Sequence, residues 1–135
     1  MRYALLIHYP QPAVSTLTDE QIKEGMAAFQ AYAKALDAAG VLRSAEVLQT
    51  IASATSVSMK QGKLHVQDGP FADTKEAFAG LFMIDVPDLD AALAWAEKCP
   101  AAYWGTVEIR PSGVQFIDGA WQRVAESSAP ASTTA

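Results

Sequence analysis

Apolar and polar positions recur with two different periods along this chain, and the switches between them mark its elements. Between 3 and 9, Tyr3, Leu5, Ile7 and Tyr9 alternate with Ala4, Leu6 and His8. Both sets are largely apolar, which predicts a central strand covered on both faces. Pro10 and Pro12 end it. Thr18-Asp-Glu-Gln21 then has capping-box character, and Ile22, Met26, Phe29, Ala33 and Leu36 recur at helical spacing. Gly40 closes that helix. A second strand is predicted over 41–48, carrying Arg43 and Glu46.

Two polar-apolar runs at 55–60 and 63–67 flank Gln61-Gly62, the signature of a two-residue hairpin turn. That register sets Met59 opposite Leu64 and Val57 opposite Val66 on one face, with Ser58 and His65 on the other. Residues 80–86 form a second strand apolar on both faces. Pro87-Asp88 starts a second helix, with Leu89, Ala92, Leu93 and Ala96 as its buried stripe and Pro100 as its stop. The run 105–110 alternates again, and 114–124 is an extra strand or arm around Phe116 and Trp121. The order β-α-β-hairpin-β-α-β predicts an α+β, ferredoxin-like sheet with two helices on one face and an added β-hairpin. Two helices cover one sheet face only. The strands at 3–9 and 80–86 are apolar on both, so a partner subunit's sheet is the simplest cover, and a homodimer is expected.

The expected domain is a single one over 1–126, followed by a small, polar and flexible tail over 127–135. A chain of 135 residues is long enough to bury a real core. Its net charge of −5, with ten scattered Lys and Arg, argues against a nucleic-acid partner, because phosphate binding needs clustered cations. Cys99 is the only cysteine, which excludes an internal disulfide and suits a reducing cytoplasm. The apolar runs are far shorter than the ~20 residues of a membrane span.

The stretch 68–76, Asp-Gly-Pro-Phe-Ala-Asp-Thr-Lys-Glu, is the one part of the chain specified for more than folding. Pro70 donates no N–H and fixes its own φ, while Gly69 opens angles closed to other residues. The Asp68 carboxylate is therefore left to reach the N–H of Phe71 or to turn outward into a cleft. Asp73 and Glu76 have capping-box spacing and predict one helical turn through Phe78. An ordinary strand-to-strand connection explains the same residues, since Asp, Gly and Pro dominate turns. With the run 80–86, the Asp-Gly-Pro-Phe and Ala-Asp-Thr-Lys-Glu motifs resemble the DGPF-type branch of the YCII-related (YciI-like) family, and the likeness extends from Arg2 to about Pro111. The resemblance implies a ferredoxin-like domain of the dimeric α+β barrel superfamily, and it supplies no reaction. Other members resemble hydrolases or lyases with a histidine on the first helix and an aspartate further on. When the helix ends are aligned at Gly40, Phe29 stands where that histidine would fall, so the dyad does not carry over.

The residues left for chemistry are Asp68, His8 and Glu46, with Arg43, Pro70, Phe71 and Lys75 as candidate ligand contacts. His8 reads either as a hydrogen-bonded core or interface histidine or as a proton-transfer group titrating near neutrality. Glu46 is a solvated edge residue or half of an acid-base pair. Arg43, Glu108 and Arg110 read either as a solvated or interfacial charge set or as the source of an arginine that binds a carboxylate substrate. His8, His65 and Cys99 lack metal-ligand spacing, and neither a Gly-rich phosphate loop nor a Gly-x-Ser-x-Gly elbow is present, so no metal or cofactor is expected. Two readings follow. One is a noncatalytic module binding a small polar or acidic molecule in a cleft near the 68–76 loop at a dimer interface. The other is a small-molecule enzyme of isomerase or lyase type, using Asp68 with His8 or Glu46.

Overall fold

The computed structural model describes residues 1–11 and 16–124; the second proline of the first turn, the end of the domain at 126 and the tail over 127–135 lie outside them. Strands β1 (Arg2–Tyr9), β2 (Leu42–Val47), β5 (Ala77–Asp85) and β6 (Thr106–Pro111) form one sheet in the order β2-β5-β1-β6, every pair antiparallel. Helices α1 (Asp19–Ala38) and α2 (Leu89–Lys98) connect β1 to β2 and β5 to β6. This is the ferredoxin-like α+β arrangement, with a hairpin of β3 (Thr55–Lys60) and β4 (Lys63–Asp68) inserted between β2 and β5. A second hairpin, β7 (Val114–Ile117) and β8 (Ala120–Arg123), follows β6 and pairs Phe116 with Trp121.

Both helices pack on the same side of the sheet. Tyr3, Leu5 and Ile7 of β1 and Phe82 and Ile84 of β5 meet Tyr32 and Leu36 of α1 and Ala92 and Ala96 of α2 in one buried cluster. Each fully buried Leu or Ile there contributes roughly 1.5–3 kcal/mol of transfer free energy. The alternate residues of the central strands, Ala4 and Leu6 with Leu81 and Met83, point to the other face and stay only half-buried. The expectation that two helices leave one apolar face open is thus met in the single chain.

Local signals set the ends of α1. Thr18 Oγ1 accepts from the Gln21 N–H at 3.1 Å, and the Gln21 amide oxygen accepts from the Thr18 N–H at 2.9 Å. Gly40 follows with φ 74, the left-handed geometry that stops the helix. The apolar stripe is buried over only half its length. Tyr32 and Leu36 are buried and Phe29 and Ala33 partly so, but Ile22 and Met26 stay exposed, because the N-terminal half of α1 overhangs the sheet beyond Tyr9 and Val47.

The expected stripe of α2 needs correction, because Leu89 and Leu93 are half-exposed. The helix instead turns Ala91, Ala92, Trp95 and Ala96 to the core. A tryptophan carries more buriable surface than either leucine, and its backbone carbonyl accepts from the Tyr32 hydroxyl at 2.7 Å. The inserted hairpin has the expected register, Met59 with Leu64, Val57 with Val66 and Ser58 with His65. Gln61 at φ 52 and Gly62 at φ 77 give it the primed turn that matches strand twist.

Gly105 and Gly80 allow close backbone approach, for a Cβ on Gly105 would run into the His8 carbonyl and one on Gly80 into the Glu46 carbonyl. Gly113 has no neighbour in reach of its added Cβ. Gly105→Ala is therefore expected to cost about 3 kcal/mol, at the upper end of the usual overpacking penalty. Gly113→Ala should change stability by less than ~0.5 kcal/mol. Chemical denaturation of the two variants checks the contrast.

Candidate functional site

Of the sequence-predicted site residues, His8 lies at the Tyr9 end of the sheet, and an irregularity in β5 brings it its neighbours. The β1–β5 register runs from Arg2↔Asp85 to Ile7↔Gly80, then shifts so that His8 faces Phe78. Ala79 is the extra residue, a β-bulge. Counted back from Ile84 and Phe82, simple alternation would send Phe78 to the helix side. The bulge reverses the count, burying Ala77 and Ala79 and turning Phe78 to the open face. There its ring lies 5.6 Å from the His8 ring.

Hydrogen bonds knit this corner together. His8 Nε2 lies 3.2 Å from Glu108 Oε1, and since a carboxylate only accepts, Nε2 carries the donated proton. Thr106, which pairs with His8 across the strands, donates its hydroxyl to Glu76 Oε1 at 2.7 Å. Glu76 is the last residue of the 68–76 stretch, so that stretch is tied to the end of the sheet beside His8. The expected helical turn from Asp73 through Phe78 does not form. Glu76 spends its carboxylate on Thr106 and β5 begins at Ala77, leaving no carboxylate to cap a helix.

The other candidates divide. Glu46 lies on the open face, in a cross-strand row with Leu81, Leu6 and Glu108. At ~4.8 Å per strand it stands roughly 14 Å from Glu108, and it makes no hydrogen bond within the described residues. Asp68 ends β4, opposite Thr55, and its carboxylate is unpaired among the described residues, including toward the Phe71 N–H. Phe71 is 93% exposed, Pro70 is half-buried, and Lys75 is exposed without an ion-pair partner among the described residues. The partner of His8 is therefore Glu108, not Asp68 or Glu46.

Arg43 belongs elsewhere. It is the extra residue of a second bulge, between Leu42↔Ile84 and Ser44↔Met83. Its guanidinium bonds the carbonyls of Gly40 and Leu42 and sits 3.7 Å from the Asp85 carboxylate. That is the end of β5 opposite to Phe78, so Arg43 is remote from His8.

Three residues at the His8 end were not among the sequence candidates. In the sequence Glu76 reads as the second half of a capping box and Thr106 as an ordinary strand position, and only the pairing of β1 with β6 puts them beside His8. Trp104 is the third. It closes a cavity with Tyr9 and α1 at the same end of the sheet but on the helix side. Burial pushes the Tyr9 phenol above its ordinary range, so that group stays neutral.

Among the described residues no group of three or more His, Cys, Asp or Glu could hold a metal ion, and no helix is long and apolar enough to cross a membrane.

The comparisons with known proteins bear on the whole of this architecture. A model of the YCII-related domain matches residues 1–112, from the first strand through the last strand of the main sheet. The chain belongs to the YCII-related family. It is also similar to an uncharacterised protein of Rhizobium meliloti (strain 1021), 32% identical over 113 residues, covering 82% of this chain and 91% of the relative. The family match ends before the β7–β8 hairpin. Cys99 takes no part in the site. It is fully buried, and burial pushes its thiol above the usual range. Thiolate is the reactive form. Ellman's reagent should therefore leave the native protein unlabelled at pH 8 and label one thiol on addition of denaturant. Rapid native labelling would contradict this burial.

Proposed function

We propose that this YCII-related domain is a homodimeric small-molecule-binding module whose ligand lies at the Tyr9 end of the sheet, between the 68–76 loop and the sheet of a second copy. One observation carries the reading. The half-buried apolar face of Ala4, Leu6, Leu81 and Met83 has no helix of the described residues over it, and it ends in the polar corner of His8, Glu108, Thr106 and Glu76. A monomer seldom leaves such a face wet, since exposed apolar patches on soluble monomers reach only ~600 Å². A second sheet laid on it removes the patch from water and turns the open corner into a cleft.

The chemistry of that corner favours a small polar ligand. Glu76 and Glu108 retain acceptor capacity for hydroxyl or amine donors, and Lys75 offers the loop's cation to an acidic group. Asp68, Pro70 and Phe71 form the outer wall of the cleft in this reading, and Glu46 lies within the contact between the sheets. Binding without catalysis is the reading adopted, because the carboxylates nominated for proton transfer, Asp68 and Glu46, have no hydrogen bond to His8.

Two measurements test it. Sedimentation at micromolar concentration is expected to give a dimer, and Leu6→Asp with Leu81→Asp a folded monomer; a wild-type monomer ends the interface part of the proposal. A thermal-shift screen against small carboxylates and hydroxylated rings is expected to find a stabilising ligand for wild type. Asp68→Asn and Glu76→Gln should each lose that response while melting unaided within a few degrees of wild type. An unchanged response in both variants would place the ligand elsewhere.

A further inference from the structure

The helix side of the same sheet end holds a feature that the polar corner does not use. A cavity of about 770 Å³ opens there, within the range of small-molecule sites. Ile22, Gly25, Met26 and Phe29 of α1 form one wall, and Tyr9 and Trp104 face them. These are apolar groups in the wrong place for a solvated helix. Met26 is 68% exposed, Trp104 47% and Ile22 42%, although Ile22 and Met26 continue the stripe that Tyr32 and Leu36 bury further along.

The aromatic walls are held in position rather than loosely exposed. Trp104 stands edge-on to Phe29 at 5.4 Å and 67°, and edge-on to Tyr9 at 6.3 Å and 74°. Phe29 in turn stacks on the buried Phe82 at 6.3 Å and 11°. Gly25 is the residue that lets the indole settle, since a Cβ there would stand 3.2 Å from Trp104 Cη2. That separation is tighter than ordinary van der Waals contact, so any side chain at 25 displaces the indole or fills the space.

Charge narrows the occupant. Among the described residues of the lining, Glu24 is the one ionised group, and no Lys, Arg or His joins it. Gln21 is the other strong polar contributor; its amide oxygen is taken by the Thr18 N–H, leaving its NH₂ as a donor. An anion placed here would lose water with no cation to replace it, beside a carboxylate. A flat aromatic body meets ring edges and faces instead, and a positive charge on it would gain from Glu24 and the rings. We propose that this cavity is a binding site for a flat, uncharged or cationic aromatic molecule, separate from the polar corner and independent of the proposed dimer.

The test is titration of the full chain with the neutral fluorophore N-phenyl-1-naphthylamine, which brightens when removed from water. The expected result is saturable binding of one probe per chain. The anionic fluorophore 8-anilinonaphthalene-1-sulfonate should bind at least tenfold more weakly. Gly25→Leu, which fills the cavity, and Ile22→Glu, which charges an exposed part of its wall, should each weaken the neutral probe at least tenfold with melting temperatures near wild type. Met59→Asp, on the exposed apolar face of the inserted hairpin, should leave binding unchanged. Absence of saturable binding overturns the site, as does wild-type affinity in both cavity variants. Loss of binding in Met59→Asp would move the probe to the hairpin, and equal affinity for the sulfonate would overturn the ligand class. Affinity that falls as protein concentration rises would mean that a second copy fills the cavity, which also overturns it.

Discussion

The pairing of β1 with β5 is the constraint on which the rest of this structure depends. These two strands occupy the middle of the sheet, so neither can leave a backbone edge to water, and both carry apolar side chains on both faces. One set of those side chains is satisfied within the chain. Leu5, Ile7, Phe82 and Ile84 anchor the core against Tyr32, Leu36, Ala92 and Ala96, and both helices are committed to that side. Neither helix of the described residues is left to cover the other set. The tendency of apolar surface to leave water therefore gives the open face a standing reason to associate, which is the physical basis of the proposed dimer.

The same pairing sets the corner around His8. Because side chains alternate along a strand, inserting Ala79 into β5 reverses the facing of every residue before it. Phe78 is thereby turned to the open face beside His8, and Ala77 and Ala79 go inward. On the other side of β1, the ladder with β6 delivers Glu108 and Thr106, and Thr106 holds Glu76 at the end of the 68–76 stretch. The corner is thus built by three strands and one loop end. Asp68 and Arg43 carry the most suggestive chemistry in the sequence, yet neither bonds His8: Asp68 ends a separate hairpin, and Arg43 is drawn to Asp85 at the far end of β5.

Surplus apolar surface is the recurring theme of the remaining molecule. The N-terminal half of α1 overhangs the sheet, and β3–β4 presents Val57, Met59, Leu64 and Val66 on one exposed face. For a chain with net charge −5, repulsion between copies offsets part of the tendency of these surfaces to aggregate. Of these surfaces, the overhang of α1 is the one that borders an open cavity lined by aromatic rings packed against one another.

Local pattern alone determined much of this protein. The period-two runs, the helical stripe with its Thr18–Gln21 cap and Gly40 stop, and the Gln61-Gly62 turn with its register are all legible because each rests on residues near one another in sequence. The element order then leads to the ferredoxin-like topology, since antiparallel neighbours and right-handed crossovers leave few alternatives. What failed were decisions between locally equal choices. Asp73-x-x-Glu76 reads as a helix start until Thr106, 30 residues away, claims the carboxylate. Leu89 and Leu93 read as core until Trp95 competes for the same space. A one-residue bulge leaves no mark in an apolar run, so the facing of Phe78 was decided only when β5 lay against both Ile7 and Leu48. Sequence specifies which groups want burial or a hydrogen-bond partner; only the assembled fold decides which of them meet, because those partners come from elements far apart along the chain.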